Sequence, residues 1–241
     1  SSSWSWPWPS RPTAPSSFSS RASPSSSPGP EAAPGLDGRP FRAKTWGVDA
    51  FKRNLEKLAE LAIRVGLNLE KGQEVIATAP IEAVDFVRLL AEKAYREGAS
   101  LFTVIYGDQE LARKRLALAP EEGLDKAPAW LYEGMARAFR EGAARLAVSG
   151  SDPKALEGLP PEKVGRAQKA NARAYKPALE AITEFVTNWT IVPFAHPGWA
   201  RAVFPGLPEE GAVRGPWEAI VQATRADQED PIAAWEAHNR A

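Results

Sequence analysis

The chain contains no cysteine. Thiol catalysis, disulfides and cysteine–zinc sites are thereby excluded, and the absence fits a cytoplasmic protein. Histidine is almost as scarce: His196 and His238 are the two present, which leaves little for imidazole-based metal chemistry. Net charge is also lacking, because 30 Lys and Arg balance 30 Asp and Glu over 241 residues. Neither nucleic acid nor an anionic membrane is therefore expected as a partner. No apolar run approaches the ~20 residues that span a bilayer. Several motifs are missing as well. No Gly-x-Gly-x-x-Gly or Gly-x-x-x-x-Gly-Lys-Ser/Thr sits at a strand–helix junction, so no nucleotide cradle is supported. His-Glu-x-x-His and Gly-x-Ser-x-Gly do not occur.

What is present falls into two parts. Residues 1–47 are crowded with Ser and Pro, hold four of the nine Trp and carry only Glu31 and Asp37 as acids. Such a segment cannot bury enough apolar area to offset its ordering entropy, and disorder is expected. It has no continuous apolar core for a secretory signal. Its Ser, Arg and paucity of acids suit a transit peptide, but its prolines oppose the amphipathic helix that one needs. Trp6-Pro-Trp-Pro9 could serve as a proline-rich ligand for an SH3-type domain, although isolated prolines of this kind arise by chance. The preferred expectation rests on the abrupt change at Val48. A Val codon can start translation in bacteria, so Val48 is expected to be the natural first residue, preceded by translated upstream sequence. N-terminal sequencing of the native protein would show a start well before Val48 if this is wrong.

Residues 48–241 read as an α/β domain with a mainly parallel sheet and helices on both faces. Its organising stretch runs from Glu74 to Tyr106. An apolar run, Glu74 to Ala79, precedes Pro80, which suits a first helical turn. Ile81, Val84, Val87, Leu90, Ala91 and Ala94 then recur at helical spacing, and Gly98 sits where a left-handed C-cap belongs. A second apolar run, Ser100 to Tyr106, completes a βαβ unit, which requires parallel strands. Continuous apolar runs predict strands buried on both faces.

Ahead of this unit, Asp49 is expected to cap a helix striped by Phe51, Leu55, Leu58, Ala62 and Val65, stopped by Gly66. After it come a short helix closed by Pro120, a helix from Ala129 to Glu141, and a third strand, Arg145 to Ser149. A long helix over Pro160 to Ala181, kinked or interrupted at Pro177, leads to a fourth strand, Phe185 to Val192. The helix from Pro208 to Ala226 contains Gly215-Pro216, where proline costs ~3 kcal/mol unless the helix breaks. Asp230-Pro231 opens a last helix that reaches Ala241 without a C-cap, an ending that looks cut.

Few residues invite chemistry. Asp108 and Ser151 lie in turns at the carboxyl ends of strands, where open α/β sheets place ligands. A helix cap is the preferred reading of Asp108, and Ser151 has no adjacent histidine. His196 sits in a proline-flanked loop. His238 lies near Asp227, Glu229 and Asp230, but ordinary histidines and a helix-capping acidic cluster are preferred to a metal site. Lys163, Arg166, Lys169 and Arg173 line one helix side, read first as a solvated face and second as a partner stripe. Trp189, Trp199, Trp217 and Trp235 read as core or interface anchors.

From Asp49 to Ala241 the chain resembles the N-terminal part of the M29 family of metallo-aminopeptidases, specifically its thermophilic aminopeptidase T group. The resemblance rests on Asp49-Ala-Phe-Lys-Arg-Asn-Leu55, Tyr106-Gly-Asp108, Asn188-Trp-Thr-Ile-Val-Pro193, Pro197-Gly-Trp-Ala200 with Val203-Phe-Pro205, and Ala226-Asp-Gln-Glu-Asp-Pro-Ile-Ala-Ala-Trp-Glu-Ala-His238. It implies removal of N-terminal residues from peptides, a homodimer, and two divalent metal ions (Zn, Co or Mg) that polarise the scissile carbonyl and generate a hydroxide. It also implies that the Glu, His and Asp ligands and a catalytic Tyr belong to a C-terminal domain. No catalytic, cofactor-binding or metal-binding residue is therefore assigned within this chain, which is expected to be inactive as a fragment. Gly215-Pro216 departs from the unbroken helix usual in the family. The alternative is a non-catalytic α/β binding or dimerisation module using the strand-end loops at Asp108, Ser151 and His196.

Overall fold

The computed structural model describes residues 47–205 and 209–240. The tail expected over 1–47, with its Trp6-Pro-Trp-Pro9 stretch, lies outside them save for Gly47. The described elements begin with α1 (Val48–Leu61), β1 (Glu74–Pro80), α2 (Val84–Arg96) and β2 (Leu101–Gly107). They continue with α3 (Gln109–Leu118), α4 (Glu121–Leu124), α5 (Ala129–Arg140) and β3 (Ala144–Ser149). The last are α6 (Pro161–Thr183), β4 (Trp189–Pro193), α7 (Pro197–Val203), α8 (Glu209–Ala223) and α9 (Pro231–Arg240).

The four strands form one sheet in the order β2-β1-β3-β4. Every pairing is parallel, with Val75 opposite both Phe102 and Ala144, and Arg145 opposite Trp189. The chain thus places β2 on one side of β1 and then returns to place β3 on the other. Side chains alternate across the pleat. Val75, Ala77, Leu146 and Val192 meet Leu58 and Ile63 of the first helical segment, Leu90 of α2, and Trp217 and Val221 of α8. Ile76 faces the other way, into a smaller core with Met135 and Phe139 of α5 and Ala178, Ala181 and Ile182 of α6. Helices on both faces explain why β1 reads as an uninterrupted apolar run.

The second strand does not share that burial. Leu101 and Tyr106 are exposed, because β2 is an edge strand and only part of its outer face is roofed.

Several boundaries also move. Asp49 does not cap α1; Gly47 holds that position without a side-chain bond, and Asp49 lies in the first turn. The first helical segment ends at Gly66, as the sequence predicts, although Gly66 is not in the left-handed region. The last turn widens into a π-turn over Ala62–Gly66, and Asn68 supplies the positive φ, 49°. Gly66 is small for another reason: a Cβ there would lie 2.8 Å from Thr190 Oγ1 on β4. Gly98, with φ 96°, ends α2 as the sequence predicts. The fourth strand begins at Trp189, not Phe185. Phe185 has φ 54°, and the Phe185 and Val186 amides bond back to Ile182 and Ala181, which closes α6. Helix α6 runs unbroken through Pro177 and α8 through Pro216. Gly215 is where the ring of Phe204 approaches, since a Cβ would meet Phe204 Cε2 at 2.8 Å.

The amino ends of the strands are tied by side chains. Gln73 Nε2 donates to the Gly142 carbonyl at 2.7 Å and to Asn188 Oδ1 at 2.6 Å. Asn188 Nδ2 in turn donates to the Leu67 carbonyl at 2.8 Å.

Candidate functional site: the cleft at the carboxyl ends of the strands

In an open parallel sheet, ligands favour the crevice where strand order reverses, because the connecting helices diverge there. Here that point lies between the carboxyl ends of β1 and β3. A cleft of about 810 Å³ opens at it, lined by Thr78, Tyr132, Arg145, Ser149, Asn171 and Tyr175 among others. One wall is the sheet; the other is formed by α5 and α6.

Arg145 is an unusual residue to find near the start of a half-buried parallel strand. Its neighbours Ala144, Leu146 and Val148 face the larger core, so the pleat turns Arg145 toward α5 and α6. Nη2 donates to Thr78 Oγ1 at 2.9 Å, and Nη1 donates to the Leu146 carbonyl. Across the cleft, Tyr132 and Tyr175 meet edge to face with centroids 5.4 Å apart. Burial pushes the Tyr132 phenol above its ordinary pKa, and Tyr175 adds to this while Arg115 opposes it. Sequence reasoning reached this end of the sheet through Asp108 and Ser151, which line the cleft, but missed Arg145, Tyr132 and Tyr175. The signal was a charged residue inside an otherwise apolar strand run, Arg145-Leu-Ala-Val.

The loops singled out in the sequence converge on the same edge of the sheet, in structural roles. Asp108 lines the cleft and caps α3, accepting from the Glu110 and Leu111 amides at 2.8 and 3.1 Å. Asp152 is fastened to the start of α3, its amide donating to Gln109 Oε1 at 2.8 Å. Its side chain packs so closely on Gly198 that no Cβ would fit there. His196 is buried and caps α7, with Nδ1 accepting from the Gly198 amide at 3.0 Å. That bond assigns the ring proton to Nε2, which faces Glu82 Oε2 at 3.4 Å. The ring's one lone pair is thus committed to a backbone amide, and a serine nucleophile at Ser151 gains no base from it.

The remaining candidates also resolve. His238 stacks edge-on against Trp235 at 5.5 Å. Asp230 caps α9 through the Ile232 and Ala233 amides. Among the described residues, no three His, Asp or Glu side chains gather closely enough to hold a metal ion. The donor set therefore does not fit a dinuclear metal centre. The basic stripe is partly closed within the chain: Lys163 Nζ lies 2.9 Å from Glu121 Oε1, and Arg166 reaches Glu121 and Asp125 at 2.5 Å each. Hydrogen bonds from Lys163 and Arg166 hold the Glu121 and Asp125 carboxyls below the usual range. Trp217 is buried among Phe51, Phe86 and Phe194, all edge to face, whereas Trp189 is exposed.

The sequence profile of the thermophilic metalloprotease family M29 matches residues 51–241. The chain is 97% identical over 194 residues to Aminopeptidase T of Thermus thermophilus, covering 80% of this chain and 48% of that protein. It is 37% identical over 193 residues to Aminopeptidase AmpS of Bacillus subtilis, covering 80% and 47%. A solved structure of wild-type AmpT from Thermus thermophilus superposes with a TM-score of 0.75 at 95% identity, covering 79% of this chain and 46% of that one. The chain spans about half the length of the curated relatives it matches.

Proposed function

Because the chain belongs to the thermophilic metalloprotease family M29, we propose that residues 48–241 are the N-terminal α/β portion of a metal-dependent aminopeptidase that removes N-terminal residues from peptides. The observation that carries this reading is the family match over residues 51–241, joined to 97% identity with an aminopeptidase. Two divalent cations belong to the reading at the level of the whole protein, and Zn, Co and Mg are the candidates. The family resemblance, not the geometry of residues 48–241, is what assigns their ligands to a C-terminal domain in this reading. In this reading the domain acts as a rigid wall and a dimerisation element of a cytoplasmic enzyme. No described helix is long and apolar enough to cross a membrane.

Two experiments test it. The 241-residue chain, incubated with Zn²⁺ or Co²⁺ and a chromogenic leucine anilide, should release no chromophore above background. Metal-dependent turnover by this chain would show that its own residues hold the centre. Conversely, residues 48–241 should replace the corresponding segment of the Thermus thermophilus aminopeptidase with metal-dependent turnover retained. A stable, folded chimera without activity would overturn the reading.

A further inference from the structure

Arg145 poses a problem of charge. It is half-buried against the sheet, and the two groups that accept from it, Thr78 Oγ1 and the Leu146 carbonyl, are neutral. No carboxylate among the described residues pairs with it. A guanidinium drawn out of water without a counter-charge is costly. It also has more N–H donors, in a planar fork, than these two bonds use. The fork lines a cleft of about 810 Å³, within the ~300–1,000 Å³ that ligand sites occupy. Ile105, Leu131 and Met135 give the cleft apolar surface, and Tyr132 and Tyr175 give it an aromatic wall.

We propose that this cleft binds a small organic carboxylate with an apolar or aromatic body, its carboxylate seated on Arg145. The chemistry selects a carboxylate over a phosphate. Phosphates at strand ends usually take the amides of a following helix N-terminus. Here the amides at the start of α3 are occupied by the carboxylate of Asp108, which lines the same cleft and repels a doubly charged phosphate more strongly than a singly charged carboxylate. A planar monoanion matches the guanidinium fork and places one charge beside it. The apolar lining then receives the ligand's body.

The test of this site does not depend on the aminopeptidase reading. N-acetyl-L-phenylalanine and its neutral amide are matched in shape, and neither has a free N-terminus to be hydrolysed. Titrated calorimetrically into the 241-residue chain, the acid should bind at least about tenfold more tightly than the amide, the value of one charge-assisted bidentate contact. Arg145→Met should erase that difference, and Arg145→Lys should retain part of it. Arg88→Met, on an exposed face, should leave it unchanged. If Arg145→Met does not fold, as judged by circular dichroism, the lysine variant carries the test, with weakened acid binding expected. Equal affinity for acid and amide, no binding of the acid, full affinity in Arg145→Lys, or competition by inorganic phosphate at equal concentration would each overturn the proposal.

Discussion

At the scale of single residues, the core around Trp217 and the carboxylate beside it make opposite contributions. Trp217 touches three aromatic rings at centroid distances of 5.4 to 6.3 Å. Trp217→Ala should cost about 3–5 kcal/mol, from lost burial and the cavity left behind; urea unfolding would read this as a lowered midpoint. Glu218, the next residue, is fully buried and has one carboxylate oxygen without a partner. Burial pushes its pKa up, against the opposing pull of Arg214, whose Nε lies 3.1 Å from Oε1. A carboxyl with a raised folded pKa holds its proton in the native state at a pH where the unfolded chain has released it. Its stabilising share is complete below the ordinary glutamate pKa and is lost as pH rises through the folded value. Glu218→Gln removes that dependence. The melting temperature of the variant relative to the wild type should rise as pH is raised from below the ordinary glutamate pKa toward neutrality; a falling difference would show that the ion pair with Arg214 outweighs burial.

At the scale of elements, glycines that look alike in the sequence play different parts. Gly150 follows β3 where a Cβ would overlap the carbonyl oxygen of Phe194. Backbone cannot yield there cheaply, so Gly150→Ala should destabilise by about 1–3 kcal/mol. Gly134 lies within α5 with nothing near its missing Cβ. Gly134→Ala should stabilise by about 0.5–1 kcal/mol through helix propensity and a less free unfolded chain. Thermal denaturation of the pair would separate close approach from flexibility. The same distinction governs what was legible in the sequence. The βαβ unit could be read because its apolar period changes sharply at Pro80 and Gly98. The true start of β4 could not, because Phe185 and Val186 are as apolar as a strand and only their hydrogen bonds assign them to the end of α6. Gly66 carried the mark of a cap but serves the approach of Thr190. The basic stripe looked unpaired because its acids, Glu121 and Asp125, belong to an element some 40 residues earlier. Of the cleft, the sequence showed Asp108 and Ser151; Arg145, Tyr132 and Tyr175 come from separate elements that only the tertiary fold assembles.

At the scale of the molecule, the sheet ends in two edges that are defended unequally. An edge strand exposes unpaired backbone groups that invite another chain unless blunted by charge, proline or a covering side chain. The β2 edge has such cover, since the Phe102 amide donates to the Tyr95 hydroxyl at 3.1 Å. The β4 edge, Trp-Thr-Ile-Val-Pro, has its one proline at the carboxyl end and carries no charged residue. Its Trp189 and Ile191 are exposed by 38% and 58%, and Phe185 and Val186, in the turn that precedes it in the chain, are exposed as well. Large apolar side chains exposed along an edge strand mark an association surface or an aggregation hazard. The 241-residue chain should therefore self-associate with concentration in sedimentation velocity. Association driven by this patch is apolar, so added salt should not reverse it, whereas an assembly held by surface ion pairs would weaken as salt screens them. Ile191→Lys places a charge in the middle of the edge and should return the chain toward monomer with little change in melting temperature, because Ile191 is already mostly in water. A monodisperse wild-type monomer at high concentration would remove β4 as an association surface. Self-association undiminished by Ile191→Lys would move that surface elsewhere on the molecule.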